Sequence, residues 1–301
     1  PYVQIWNLDI QRELPGAVML NIGYNGSKGT RLDTERALVV GGGQPFIYES
    51  AEGNSVLHAA SVRVRKRMSK GFGVGAQYVF SKSIDDASSI GGGGVIVAQD
   101  PFDISADRGL SNFDQTHRFT GNWTYDLPFG ENRAFIHKGL FSHILGEWQW
   151  SGSFSAASGL YFSPRVLGGE VDINRGVSGS LRANVIPGKP ITLSNPTAQE
   201  WFNTAAFCAP GLDCVNPGGT DFGDAGRNII EGPGSVTFNM TLNRTIPIKD
   251  ARTLDLRVSG NNIFNHVNYA AINTTVNSLT FGEVTSAGSM RRITLQARFR
   301  F

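Results

Sequence analysis

The stretch Arg291-Arg292-Ile293-Thr294-Leu295-Gln296-Ala297-Arg298-Phe299-Arg300-Phe301 alternates without a miss. Ile293, Leu295, Ala297, Phe299 and Phe301 fall on one side, and Arg292, Thr294, Gln296, Arg298 and Arg300 on the other. Successive strand side chains point to opposite faces of a sheet, so this stretch predicts a strand with one apolar and one strongly polar face. Such a strand has two possible homes. In a soluble sandwich the apolar face is core and the polar face meets water. In an outer-membrane barrel the apolar face meets lipid and the polar face meets a wet or plugged lumen.

The rhythm upstream decides between them. The same alternation predicts strands over 2–12, 17–25, 56–67, 72–81, 117–127, 147–158, 235–245 and 253–262, which with the last makes about nine. About ten residues is the length that crosses a bilayer when tilted. The connections alternate between short and long. Those at 13–16, 68–71 and 247–252 are tight, and 128–146 is of medium length with a short helix near 141–145. The stretches 26–55, 82–116, 159–234 and the one after 262 read as long loops. A barrel has short periplasmic turns and long external loops, whereas a sandwich has no reason to gather its long loops at one end. Trp6, Tyr24, Tyr78, Trp123, Trp148 and Phe301 near strand ends suit interfacial aromatic girdles. The expected fold is therefore all-β: an antiparallel transmembrane β-barrel segment, a meander with short periplasmic turns and long external loops, in the outer membrane of a Gram-negative bacterium.

Composition agrees. Of 301 residues, 40% are hydrophobic and 17% charged, and no apolar run is long enough for a membrane helix. Alternation hides the apolarity of barrel strands. The net charge of +2 gives no reason to expect a nucleic-acid partner. The chain opens on Pro1 without a leader, runs inward on its first strand and has an odd strand count. Bacterial single-chain barrels are even-numbered, so residues 1–301 read as the C-terminal part of a larger barrel. A self-contained small barrel or surface adhesin, and a secreted carbohydrate-binding sandwich, are the rival readings.

Cys208 and Cys214 share one polar loop segment; their closeness suits a local disulfide, and two free thiols are the alternative. Asp85, Asp86, Asp100, Asp103, Asp107 and Asp114 cluster in the stretch 82–116. They read as a solvated acidic loop self-structured by Asp107 and Arg108, with calcium as the competing use. His58, His117, His137, His143 and His266 are scattered, with His117 and His266 expected to hydrogen-bond in loop packing. No His-x-x-x-His pairing, Gly-x-Ser-x-Gly elbow or phosphate loop is present, so neither an enzyme nor a cofactor is expected. Gly71-Phe72-Gly73-Val74-Gly75 places its glycines at period two on a strand, as small lumen-facing residues.

An ordered series of segments then carries a resemblance. It runs Ser81-Lys82-Ser83-Ile84-Asp85-Asp86, Asp107-Arg108-Gly109-Leu110-Ser111-Asn112-Phe113-Asp114, Leu127-Pro128-Phe129-Gly130 and Gly146-Glu147-Trp148-Gln149-Trp150. It continues with Trp201-Phe202-Asn203-Thr204, Phe222-Gly223-Asp224-Ala225-Gly226-Arg227-Asn228, Asn262-Ile263-Phe264-Asn265-His266 and Phe281-Gly282. In order and spacing it resembles the C-terminal barrel half of Oar-like TonB-dependent receptors, the type with a carboxypeptidase-regulatory-like domain. That family has a barrel of roughly 22 strands closed by an N-terminal plug, and takes up scarce or bulky solutes under the drive of the inner-membrane TonB complex. The resemblance implies that the external loops capture ligand. It also implies outer-membrane lipid, the plug, the remaining barrel strands and the TonB complex as partners, the last reached through an N-terminal part. Arg257, Arg292, Arg298 and Arg300, with Arg63 and Arg65, would line the lumen and meet the plug. Phe299 and Phe301 resemble the terminal signal read by the barrel assembly machinery.

Overall fold

The computed structural model describes all residues except 42, 87–97, 131–132, 137, 178, 212–213, 215–221 and 249–251. His137 and the middle of the 247–252 turn thus lie outside the described residues. Nine long strands form one antiparallel meander in chain order. They are β1 (Tyr2–Leu14), β2 (Val18–Leu38), β3 (Phe46–Ser69), β4 (Phe72–Asp85), β5 (His117–Asp126), β6 (Gln149–Ala157), β7 (Ser235–Pro247), β8 (Thr253–Asn261) and β9 (Arg292–Arg300). β1 and β9 are the sheet's edges, each paired on one side.

The turns follow from local chemistry. Lys70 and Gly71 both adopt positive φ, 50° and 77°, between the paired residues Ser69 and Phe72. That is the two-residue hairpin whose twist matches the flanking strands. Gly16 (φ 84°) and Ala17 (φ 60°) close β1 onto β2. These turns, the connection 127–148 and the 248–252 turn all lie at one end of the sheet; every long connection lies at the other.

The expectation of a loop over 26–55 is overturned. β2 and β3 pair from Val18–Lys66 to Leu38–Phe46, so all but the connection between Leu38 and Phe46 is a hairpin. At about 3.3 Å per residue the 21 residues of β2 span about 70 Å, far more than a membrane-crossing strand needs. A bulge interrupts the pairing between Thr30 and Asp33, with Arg31 in the left-handed region at φ 55°. Gly53 sits opposite, where a Cβ would come within 2.9 Å of the Leu32 carbonyl oxygen.

The wall is a single layer, and this overturns the sandwich alternative. Its apolar face is not packed against a second sheet: Leu8, Ile10, Ile22, Val62 and Leu295 are all exposed, Leu295 by 76%. The total accessible surface is 17855 Å², against about 12,400 Å² for a compact soluble monomer of this mass. No helix among the described residues is long and apolar enough to cross a membrane. The buried apolar core lies elsewhere, in the long-loop cap. There Ala183, Phe202, Ala206, Phe207, Ile230 and Ile272 pack together, with Phe202 and Phe207 edge to face at 5.8 Å. A dry core above an uncovered apolar belt is the inverse of a soluble domain.

Candidate functional site: the external cap and the polar wall

Three long connections, 86–116, 158–234 and 262–291, build the cap, and buried ion pairs lock the first two together. Arg227 is ion-paired with Asp85, and its Nε donates to the Asp107 carbonyl at 2.7 Å. Arg182 is ion-paired with Asp107 and donates to the carbonyls of Ala225 (2.7 Å) and Ala106 (3.0 Å). Both pairs are buried. Gln99 completes the seam, its amide donating to the Gly223 carbonyl at 2.9 Å while its side-chain oxygen accepts from the Arg182 amide at 2.6 Å. Asp172, fully buried, accepts from Arg175 (3.1 Å), the Ser180 amide (2.9 Å) and the Leu181 amide (3.2 Å). Charges survive such burial only when paired and hydrogen-bonded, which is the case at all three sites.

This corrects the picture of a solvated acidic loop. Asp107 and Arg108 do not pair with each other. Asp107, the last residue of a short 3-10 helix (Ile104–Asp107), turns to Arg182, while the extended Arg108 that follows it meets Asp86 at 3.4 Å. No group of three or more potential metal ligands occurs among the described residues. Asp103 is exposed, and the Ser105 hydroxyl and amide hold its carboxyl below the ordinary value. Asp114 goes the other way: burial raises it, against the Ser83 amide at 2.6 Å, the Thr116 hydroxyl and Lys82. A folded-state value above the unfolded one means that the folded loop binds the proton more tightly. Asp114 therefore contributes stability fully below about pH 3.8, lost as pH rises through its raised value. The Asp114→Asn variant is expected to lose this part of the pH dependence. Exchange protection of the Ser111 amide, which donates to the Ser83 carbonyl at 2.9 Å, reads it out.

Against the seam the cap forms a partly open hollow of about 420 Å³ lined by Tyr161, Ser163, Arg165, Arg182, Asn228 and Asn273 among others. Arg182 is neutralised by Asp107, but the Arg165 guanidinium has no hydrogen-bond or ion-pair partner among the described residues. The polar wall face carries further hollows, and two of them gather arginines read from the sequence. One, of about 570 Å³, is lined by Arg63, Arg65, Gly73, Gly75, Gln77 and Asn122. The other, of about 440 Å³, gathers Asn243, Asp255, Arg257, Arg298 and Arg300.

Of the six wall arginines read from the sequence, Arg257, Arg298 and Arg300 thus share one hollow and Arg63 and Arg65 the other. Arg300 is ion-paired with Asp255, and Arg257 Nε donates to Ser259 Oγ at 3.0 Å. Arg292 is apart from them, in register with Asn261 at the long-loop end. Phe299 and Phe301 stack at 6.2 Å on the apolar side, both exposed. Cys208 and Cys214 are disulfide-bonded, with Cα atoms 6.0 Å apart, in the cap. His117 accepts or donates at Nδ1 with the Tyr78 hydroxyl at 2.7 Å on the wall rather than in a loop, and His58 repeats the arrangement with Tyr24. His266 is held through its backbone, its amide donating to Asn262 Oδ1 at 3.0 Å. Trp123 lies between Trp150 and Phe238, inside the aromatic belt rather than at its edge.

Comparison with known families agrees with the uncovered belt and one-ended loops: residues 1–294 match the family described as an outer membrane beta barrel domain. The chain belongs to that family. The barrel domain is therefore an outer-membrane protein, with its apolar face toward lipid, its short turns periplasmic and its cap external. Among solved structures, the outer membrane transporter YddB from Escherichia coli superposes with a TM-score of 0.58 at 10% identity. The match covers 98% of this chain and 32% of the transporter, so the barrel domain spans about a third of that protein's length. No curated protein matches by sequence.

Proposed function

We propose that residues 1–301 form the C-terminal barrel part of a TonB-dependent receptor of the Oar-like type, which takes up a scarce or bulky solute across the outer membrane. The observation that carries this reading is the match of nearly the whole nine-strand meander to a third of a transporter. In the complete protein, Arg257, Arg298 and Arg300 around Asp255, with Arg63 and Arg65, face an N-terminal plug. The remaining strands complete the wall, and the TonB complex acts through the plug side. Arg292 stands at the external rim of the same face. Phe299 and Phe301 serve the barrel assembly machinery, and the bond between Cys208 and Cys214 trims the freedom of the capturing loop. The Arg165 guanidinium, which has no partner among the described residues, stands beside Tyr161, Ser163 and Asn273 and suits a solute bearing carboxylate, phosphate or many hydroxyls.

Deleting the gene for the full-length protein should abolish accumulation of one scarce solute, found by screening growth on limiting nutrients. Deleting the cell's TonB should abolish the same accumulation. Uptake that persists without TonB or a proton gradient would replace driven transport by a passive barrel. A surface-binding role is the second reading, and the β2–β3 hairpin supports it, with Val40, Phe46 and Ile47 exposed at its tip. Attachment to a surface lost on removal of 32–52, with uptake intact, would favour that reading.

A further inference from the structure

The periplasmic connections at 15–17 and 70–71 are tight turns, but the described residues of 127–148 fold into a compact knob. Its neck is a small ladder: Leu127 N–H donates to the Trp148 carbonyl at 2.8 Å, Glu147 N–H to the Phe129 carbonyl at 3.1 Å, and Phe135 N–H to the Pro128 carbonyl at 2.8 Å. Its tip is a helix, α1 (Leu140–Leu145), closed by Gly146, whose amide donates to the Ser142 carbonyl at 3.0 Å. A Cβ on Gly130 would stand 2.8 Å from the Gly146 Cα, so two backbones touch where only glycine fits. The knob is thus built, not slack.

Its position is set by two side chains from the wall. The Ile144 carbonyl accepts from Trp148 Nε1 at 3.1 Å and from Arg244 Nη1 at 2.9 Å. Arg244 shares a strand face with Val236, Phe238, Met240 and Leu242, and Trp148 shares one with Trp150 and Phe154. That is the lipid-facing side, so both donors reach α1 from outside the wall. The helix therefore lies beside the belt, not under the lumen. Phe141, Ile144 and Leu145 fall on one helical face at i, i+3 and i+4 and are all exposed, Phe141 by 68%. Phe135 and Ile136, on the same connection, are exposed as well. A tip this apolar in periplasmic water is unfavourable, whereas at the boundary of headgroups and acyl chains it continues the belt. Trp148 and Arg244 are of the types that hold that boundary.

We propose that the 127–148 knob is an interfacial anchor. It inserts Phe135, Phe141, Ile144 and Leu145 into the phospholipids of the periplasmic leaflet, fixing the depth of β5, β6 and β7. The inference rests on the barrel reading, and the test separates the two. In the full-length protein reconstituted in phospholipid vesicles, a nitroxide is attached at F141C, and in a second variant at I144C. Reference labels are V62C in the wall and L279C at a fully exposed position of the external cap. Collisions with oxygen, which concentrates in lipid, are compared with those of a water-soluble nickel chelate. The expected ratio at 141 and 144 is close to that at 62 and several-fold above that at 279. Nickel accessibility at 141 and 144 equal to that at 279, with 62 still in lipid, overturns the anchor alone. Protection from both reagents means a protein neighbour and also overturns it. A nickel-accessible label at 62 would overturn the barrel reading itself.

Discussion

Replacing Arg227 by methionine is expected to open the external cap while leaving the barrel folded. Arg227 crosses 142 residues of chain to reach Asp85, and both are buried. Its loss leaves the Asp85 carboxylate in a dry setting and removes the donor to the Asp107 carbonyl. Stripping one partner from a buried pair costs about 3–5 kcal/mol, enough to raise the open population of the cap by more than about a hundredfold. The wall is insulated from this, since its strands are held by their own ladders and the cap has its own core. Limited proteolysis of the assembled protein should therefore cut 86–116 and 158–234 quickly in Arg227→Met, with the heat-modifiable migration of a folded barrel retained. Adding Asp85→Asn should restore much of the protection, because an uncharged amide needs no counter-ion and can still meet the Ser111 hydroxyl. Unchanged cleavage in the single variant would show that the seam does not hold the cap shut.

The parts of this molecule that were legible in its sequence are those where a solvent boundary imprints a period. Lipid on one side and a polar lumen on the other force alternation at every step, so Ile293 to Phe301 or Phe72 to Phe80 could be assigned from letters alone. The period fades where the boundary ends. At Ser27, Lys28, Gly29 and Thr30 both faces of the hairpin meet water, nothing selects apolar residues at alternate positions, and yet the backbone ladder continues. A strand held only by its own hydrogen bonds leaves little trace in side-chain type. The cap was illegible for a different reason. Arg227 and Asp85, or Arg182 and Asp107, are coupled through space across 142 and 75 residues, and no spacing rule joins them. The segments holding them stood out through resemblance, but their pairing did not. The nearest charge in sequence, Arg108, was the wrong partner for Asp107.

Arginine at position 62 should impair the barrel, and arginine at position 61 should not. The two residues are adjacent in β3 and make the same ladder with β2 and β4, Val62 with Ile22 and Tyr78, Ser61 with Gly23 and Val79. Any difference between the variants is thus a difference between faces, not between backbones. Val62 is exposed on the apolar side near the middle of the membrane-crossing part of its strand. A guanidinium there faces acyl chains at a cost of about 2–4 kcal/mol. Ser61 faces the lumen, and Asp9 is close at hand: a Cβ at the intervening Gly23 would lie 2.6 Å from Asp9 Oδ1 and 3.0 Å from Ser61 Oγ. An arginine at 61 therefore gains a carboxylate in a wet setting, worth up to about 1 kcal/mol. Urea unfolding of the full-length protein from phospholipid vesicles should show a markedly lower midpoint for Val62→Arg and an unchanged or slightly higher one for Ser61→Arg. The reverse order would exchange inside and outside. Arg257, Arg298 and Arg300 would then face lipid, and a bilayer has no counter-charge for them. Those arginines share a sheet face with Ser61, so its tolerance and their survival have one cause: water, or a polar plug, on that side of the wall.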